Sequence, residues 1–405
     1  MLHFCYQKDY EEVISKRIHE VIEMMNIRLF FCDLQDDRQA MKVQHELLEI
    51  IAMTIIAVAA DCDGWDEIED FCVQYEEWLK RVVGLAMPGG VPSADTFERV
   101  WRRIDSKAFK QSFMRWTESI RVKIAGEVIS IDGKTSRGSE DDEKRPIHMV
   151  SAWLSEQKMV LGQIAVPEKT NEITAVPELI KMLDIGGCII TADAMSCQKT
   201  IVAEIVRKKA EYAIGLKGNQ SGLLEYAELL YNGIRKDPGL YEVKSIVTRD
   251  KGHGRQEVRT YYLSTELSGL YQLKEWKGLK AIGMVRSVVT DIKTGEVTEA
   301  YRYYITSLTD IETFAKAVRE HWGIEASLHH VLDVSFQEDT SKIRKDNAPD
   351  NMVVVRHFVI SALKFLPVRK KNVSAKRKRK MCGRNPELLL QALELILTPK
   401  QTDAS

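Results

Sequence analysis

The chain has 405 residues, of which 44% are hydrophobic, so it can bury the core of one large domain or of two to three smaller ones. Its 58 basic and 59 acidic residues leave a formal net charge of −1, which neither requires nor excludes a nucleic-acid partner. The longest apolar run, residues 50–60, is too short to cross a bilayer, and the first twelve residues lack a signal-peptide pattern. Seven dispersed cysteines are typical of a protein in a reducing compartment. Together, these features predict a cytoplasmic protein without a membrane partner.

The first part of the chain, from residue 9 to about 125, has the apolar spacing of helices. Apolar residues recur every three or four positions, for example at Leu47, Ile50 and Ile51. Residues 88–92 break this pattern with two prolines and two glycines, and Ser93 or Asp95 could cap the next helix. We therefore predict a helical N-terminal domain, residues 1–125, that binds DNA or pairs with a second subunit.

From Gly126 the pattern changes to short β-branched runs that alternate with helical segments. The predicted order is three strands, a helix, a strand, a helix and a strand, as in a mixed α/β sheet of RNase H-like order. After residue 240 come four strands that we interpret as an all-β insertion at about 240–308, and then a helix. The predicted elements are strands 128–131, 148–154 and 159–166, helix 172–183, strand 188–192, helix 199–210, strand 212–216, strands 242–248, 255–264, 279–289 and 298–307, and helix 313–334.

The charge is distributed unevenly, which matters for the end of the chain. Residues 61–77 are acidic without a basic residue, whereas residues 364–384 contain ten basic residues and no acidic one. The basic run is either a solvated linker or a tail that contacts phosphates. We divide the chain into the helical domain, a catalytic domain at 126–365, and a basic linker with a C-terminal helix at 366–405.

Two aspartates stand at equivalent places in two predicted strands. Alternation puts Ser130 and Asp132 on one face of the first strand, and Thr191 and Asp193 on one face of the fourth. Since ligands of open α/β sheets bind at the carboxyl ends of strands, the two carboxylates should converge there. The alternative is that each aspartate only begins a turn or caps a helix.

A third acid, Glu325, lies in the last predicted helix. Phe314, Val318 and Trp322 recur every four residues, and this stripe puts Glu325 on the side that faces the core. A charged carboxylate there would be costly unless a metal ion holds it. The alternative is an ion pair with Arg319 or His329.

Three carboxylates without a thiolate form a hard oxygen site that suits Mg²⁺ or Mn²⁺. Two such ions can activate an attacking oxygen and stabilise the leaving oxygen at a phosphodiester. Gly133-Lys134-Thr135 lacks the glycine spacing of a P-loop, so we reject a nucleotide site. His321, Glu325 and His329 stand four apart and could bind zinc, but the segment has no HExxH motif.

Five motifs in order make the sequence resemble the DDE transposases of insertion sequences, above all the H-repeat-associated branch. The resemblance extends from about Phe31 to Leu363 and includes the head of the chain, which resembles the amino-terminal associated domain of that branch. It implies an RNase H-like core with a β-rich insertion between the second aspartate and the glutamate. The five motifs are ISIDGKTSRGS, ITADAMSCQKTI, GLKGNQ, HGRQEVR and REHWGIEASLHHVLDVSFQED.

The resemblance also implies roles for particular residues. Asp132, Asp193 and Glu325 correspond to the catalytic, metal-binding acids of the family. Asp333 is an alternative ligand, because Val318, His321 and Leu332 stand where the wider family often has tyrosine, arginine and lysine. Trp322 could stack on a displaced base or belong to the core. The expected DNA contacts are Lys134, Lys217, Asn219, His253, Arg255, Arg319 and Trp322.

The resulting hypothesis is a transposase, acting as a homodimer, that uses two Mg²⁺ or Mn²⁺ ions in each active site. It would bind the terminal inverted repeats of an insertion sequence, cut at the element ends and join them to target DNA. Two alternatives remain open: a metal-dependent DNA endonuclease without strand transfer, and a non-catalytic DNA-binding remnant of a mobile element.

Overall fold

In the computed structural model, the described residues are 30–397, except 141–145, 167–171, 253, 272, 365, 367 and 370–372. The predicted helical segment before residue 30 lies outside them. Within the described ranges, no helix combines the length and the apolar character that a membrane crossing requires.

The N-terminal region is helical, as its apolar spacing predicts. Helix α4 begins where predicted, because the Ser93 side chain accepts a hydrogen bond from the backbone N–H of Thr96 at 3.3 Å. Helix α3 continues into a π-helical turn at Leu79–Val83. The helices of this region are α1 (Leu47–Ala59), α2 (Trp65–Gln74), α3 (Glu76–Trp78), α4 (Ala94–Arg103) and α5 (Ser106–Ile120).

A single mixed sheet of nine strands forms the centre of the molecule, in the order β3-β2-β1-β4-β5-β9-β8-β7-β6. Strands β1, β4 and β5 are parallel, and their neighbours β2 and β9 run antiparallel to them. The strands are β1 (Val128–Ser136), β2 (Ile147–Leu154), β3 (Met159–Val166), β4 (Ile189–Ala192), β5 (Glu211–Leu216), β6 (Val243–Gly252), β7 (Arg255–Ser264), β8 (Ala281–Asp291) and β9 (Val297–Thr306). The fold is therefore α/β with an RNase H-like core, as the sequence predicts.

The predicted β-rich insertion is continuous with this core. Strand β9 pairs with β5 through Leu216 and Tyr303, so β6–β9 extend the same sheet. Helix α8 was not predicted from the sequence; it precedes the insertion and packs against one face of it. The remaining helices are α6 (Glu172–Met182), α7 (Lys199–Arg207), α8 (Ser221–Lys236), α9 (Ile311–His321), α10 (His330–Ser335), α11 (Ala348–Lys364), α12 (Ala375–Cys382) and α13 (Pro386–Leu397).

The N-terminal helices share one hydrophobic core with the end of the catalytic region. Phe358 of α11 stacks on Trp116 of α5, with the ring centroids 3.9 Å apart, and also contacts Phe31 and Phe113. Leu328, beyond α9, belongs to the same core. The helical region therefore packs directly against the segment that carries Glu325.

Candidate active site

The two aspartates lie side by side, as strand alternation predicts. The parallel pairing of β1 with β4 ends at Ile131 and Ala192, so Asp132 and Asp193 are the next residues on neighbouring strands. One expectation is corrected: β1 does not end before Asp132 but continues to Ser136, because β2 continues to pair with it. Asp132 thus stands where β1 loses its β4 neighbour.

Asp193 also caps a turn, which was the alternative to a site role. Its Oδ1 accepts hydrogen bonds from the backbone N–H groups of Met195 and Ser196, at 3.0 and 3.3 Å. The Asn219 side chain donates to the carbonyl oxygen of Ala194 at 2.7 Å, which fixes the same turn from β5. The turn orients Asp193 through a single carboxylate oxygen, so capping and ligand binding are compatible.

Asp132 is held in a crowded, largely buried place. Its Oδ1 accepts a hydrogen bond from the backbone N–H of Gly133 at 2.9 Å, and Nδ1 of His329 lies 3.6 Å from Oδ2. Burial raises the pKa of Asp132 to about 7, and the negative charges of Asp193, Glu172 and Glu325 act in the same direction. The site therefore concentrates negative charge that a cation would neutralise.

A buried pair behind Asp132 was not identified from the sequence. Nε2 of His148 lies 2.5 Å from Oε1 of Glu172, and Nδ1 of His148 lies 2.8 Å from Oγ1 of Thr135. A Cβ on Gly133 would collide with both members of this pair, so only glycine fits beside Asp132. Glu172 carried no distinguishing signal, since an acidic residue at the start of a helix is common.

Glu325 lies in a different setting from the one predicted. The expected continuous helix contains a π-helical turn at Glu325–His329, in which the backbone N–H of His330 bonds to the carbonyl oxygen of Glu325. The helix is already interrupted at Trp322, before this turn. Ile324 and Leu328 are buried, whereas Glu325 is exposed. The prediction that Glu325 faces the core is therefore wrong. Among the described residues its carboxylate has no hydrogen-bond or ion-pair partner.

One cleft of about 570 Å³ brings the three acids together. Lys217 and Trp322 line it as well, and Trp322 is 41% exposed with the Arg302 guanidinium 4.8 Å from its ring centroid. Arg302 was not identified from the sequence. Trp322 does not belong to the core, and Arg302 covers one face of its ring at the wall of the cleft.

Two histidines, one at the end of α9 and one at the end of the π turn, line the same cleft. Nδ1 of His321 lies 3.1 Å from Oγ1 of Thr191, and His329 approaches Asp132. Burial lowers the pKa of each imidazole to about 4, so both are neutral at physiological pH. They therefore add polar groups to the cleft without adding positive charge.

The other predicted DNA contacts lie outside the lining of the cleft. Arg319 forms an ion pair with Asp250 at 3.2 Å, and Arg255 is exposed at the start of β7. His253 lies outside the described residues. Asn219 acts on the turn that follows Asp193. These positions do not converge on the three acids.

Lys134 is used inside the protein. Its ammonium, only 12% exposed, lies 2.8 Å from carboxylate oxygens of Asp333 and Glu338 and 3.4 Å from Asp339. Asp333, the alternative ligand, is thus paired with Lys134 and does not line the cleft. Glu325 lines the cleft together with Asp132 and Asp193, and Glu228 of α8 lines it as well.

The donors in the cleft suit a hard divalent cation. Carboxylate oxygens dominate, Glu325 is unpaired among the described residues, and burial, with the neighbouring carboxylates, raises the pKa of Asp132. As the side chains stand, no three His, Cys, Asp or Glu residues of the described ranges form a ready-made metal group.

Comparisons with known proteins agree with this geometry. The family model described as "Transposase DDE domain" matches residues 124–362, and the model described as "DDE_Tnp_1-associated" matches residues 29–117. The chain is 41% identical to "Putative transposase YncI" of Escherichia coli O157:H7, over 85% of this chain and 89% of that protein. It is 38% identical to "H repeat-associated putative transposase YhhI" of Escherichia coli K12, over 87% and 94%. Proteins with this domain generally use divalent metal ions. The chain therefore belongs to the DDE transposase family and is related to its H-repeat-associated members.

Proposed function

We propose that the protein binds the terminal inverted repeats of an insertion sequence, cuts at the element ends and joins them to target DNA. The observation that carries this proposal is the convergence of Asp132, Asp193 and Glu325 in one cleft. The exposed Lys217 in the same cleft adds a positive charge for the DNA backbone.

In this proposal the three carboxylates hold two Mg²⁺ or Mn²⁺ ions. When bound, such ions supply activation of the attacking oxygen and stabilisation of the leaving oxygen. Asp132 and Asp193 provide fixed ligands from the sheet, while Glu325 closes the site from the π turn. Water and the 3′-OH of DNA serve as nucleophiles, so no covalent bond between protein and DNA is required.

The insertion supports a DNA path beyond the cleft. Tyr303 of β9 pairs with Leu216, the last residue of β5. The six residues of β9 before Tyr303 therefore extend past the carboxyl ends of the parallel strands, by roughly 20 Å. The hairpin tips carry Lys251, Arg255 and Lys293, and a hydrogen bond of 2.8 Å from Ile292 to Gly254 joins them. We propose DNA contacts for Lys217 in the cleft and for Arg255 at the tips, and also for His253, which lies outside the described residues. Lys134 and Asn219 then position the acids.

The partners of this reaction are double-stranded DNA, as element ends and as target, and a second copy of the chain. Two element ends must be brought together for joint transfer, which a homodimer would achieve. We propose that the helical region, residues 1–125, supplies DNA-binding or dimer contacts.

The test incubates the purified protein with labelled DNA that contains the element ends and with Mg²⁺. Asp132→Ala should reduce cleavage at least about 10³-fold, because metal ligation is worth several kcal/mol in the transition state. Glu178→Ala, at an exposed position of α6 outside the cleft lining, serves as the control and should cut like the wild type.

The products separate the proposal from its alternatives. Strand-transfer products support transposition, and cleavage without joined products would indicate a plain endonuclease. Binding of end DNA without any Mg²⁺-dependent cutting would contradict the catalytic proposal and indicate a non-catalytic remnant.

A further inference from the structure

The basic stretch at residues 364–384 is divided by the fold into two sets of side chains. One set is structural. Arg379 is fully buried, where it pairs with Asp63 at 2.7 Å, donates to the carbonyl oxygen of Val58 at 2.9 Å and lies 4.2 Å from the ring centroid of Phe336. Nζ of Lys378 donates to the carbonyl oxygen of Leu363 at 2.5 Å. These contacts hold α12 against the helices that surround it.

The other set faces solvent. Lys376, Arg377 and Lys380 are exposed on α12, and Arg384 is exposed in the turn that follows. Among the described residues none of these four has an ion-pair partner, although surface cations such as Lys316 and Arg286 do pair with acids. The fold thus presents an unneutralised positive surface, which we name the α12 stripe (Lys376, Arg377, Lys380, Arg384).

The helix that carries the stripe also borders a groove of about 650 Å³ whose lining includes three lysines. The inner side of α12 lines this groove through Lys378, and Lys158 and Lys364 line it as well. Ala326 and Ser327, the residues directly after Glu325, form part of the same lining. The groove therefore begins at the π turn that carries the catalytic glutamate.

The charge of this region points to a polyanion. The acidic residue of the groove lining, Glu156, is paired with Lys316, whereas Lys158 has no ion-pair partner among the described residues. Regularly spaced cations on a helix match the phosphates of a nucleic-acid backbone, which they contact without reading the base sequence. A duplex that lies in the catalytic cleft could continue past the π turn onto this surface.

We propose that the α12 stripe and the adjoining groove bind the sugar–phosphate backbone of duplex DNA, outside the catalytic cleft. This inference rests on the proposed function and assigns a second DNA-contact surface to the same protein. It predicts sequence-independent contacts whose contribution falls as salt rises.

The experiment compares two full-length triple variants. Lys376→Gln, Arg377→Gln and Lys380→Gln remove three charges from the stripe, whereas Lys236→Gln, Lys274→Gln and Lys277→Gln remove three exposed charges elsewhere. Affinity for end DNA and for a duplex of unrelated sequence is measured over a series of NaCl concentrations. The stripe variant should reduce the slope of log affinity against log salt by about 2 to 3, equally on both duplexes. The control variant should keep the wild-type slope.

The cleavage rate at saturating DNA should stay within about twofold of wild type, because the stripe lies outside the cleft, and thermal melting of both variants should match wild type. An unchanged slope in the stripe variant, or equal changes in both variants, would overturn the inference. If the wild type cuts its end DNA while the stripe has no effect on the slope, only this inference fails. If the wild type neither binds nor cuts end DNA, the proposed function fails with it.

Discussion

The acids of the active site are held by two different kinds of structure. Asp132 and Asp193 project from neighbouring parallel strands, and backbone N–H groups fix one oxygen of each. Glu325 projects from a π-helical turn, is exposed and has no partner among the described residues. One side of the site is therefore rigid and crowded with charge, and the other is free to adjust.

The π turn occurs where its helix changes from one hydrophobic core to another. Before it, Phe314 and Val318 pack against the insertion strands, whereas Ile324 at its start and Leu328 within it belong to the core of the N-terminal helices. Glu325 stands at this change of core and lines the cleft.

The largest expected effect separates packing from exposure within this segment. Ile324→Ala should reduce the free energy of unfolding by about 2 to 5 kcal/mol, because Ile324 is fully buried. Trp322→Ala should cost within about 1 kcal/mol, since Trp322 is 41% exposed. Urea denaturation measures both. Equal losses of unfolding free energy in the two variants would contradict the burial of Ile324 and the exposure of Trp322.

The second prediction concerns the charge held on the rigid side. The pKa of Asp132 rises from 3.8 to about 7 on folding, so the folded state holds this proton more tightly than the unfolded state. The metal-free protein should therefore lose stability as the pH rises from about 4 to about 7. Asp132→Asn should remove this loss and be more stable than wild type at pH 8, by roughly 1 to 4 kcal/mol.

Denaturation in EDTA at pH 5 and pH 8 measures this difference. The matched variant Glu325→Gln should change stability by no more than about 0.5 kcal/mol at either pH, because the side chain is exposed and unpaired. A destabilised Asp132→Asn at pH 8 would show that Asp132 is not under electrostatic strain.

The smallest expected effect is the difference between two glycine substitutions. Gly133 directly follows Asp132, and Gly323 lies two residues before Glu325. Gly133→Ala should destabilise the protein by about 1 to 3 kcal/mol and slow cleavage, because its Cβ would collide with the buried His148–Glu172 pair. Gly323→Ala should be neutral or stabilise by up to about 1 kcal/mol, since nothing lies within 4 Å of its added Cβ. Similar effects at both glycines would remove the distinction between the crowded and the free side.

Local patterns were sufficient to predict the rigid side of the site. Alternation placed Asp132 and Asp193 on equivalent faces, and the parallel register confirms that they meet. The same reasoning could have identified α8, whose buried Leu223, Ala227 and Leu230 recur at helical spacing.

Long-range contacts account for what the sequence did not predict. The local motif of Lys134 suggested a DNA contact. Its partner Glu338 lies 204 positions away, so the motif could not show that Lys134 forms an internal ion pair. The segment that carries Glu325 packs against two cores formed by distant parts of the chain. A prediction from a single helical period therefore placed Glu325 on the wrong face. The steric restriction at Gly133 also comes from distant residues, because His148 and Glu172 belong to other elements.

The central claim is that Glu325 completes the site with the two aspartates, whereas Asp333 belongs to the Lys134 ion-pair cluster. The most direct measurement is the Mg²⁺-dependent rate of end-DNA cleavage by Glu325→Gln and by Asp333→Asn. Glu325→Gln should lose at least about 10³-fold, and Asp333→Asn should stay within about tenfold of wild type. Loss of cleavage in Asp333→Asn together with an active Glu325→Gln would contradict the account.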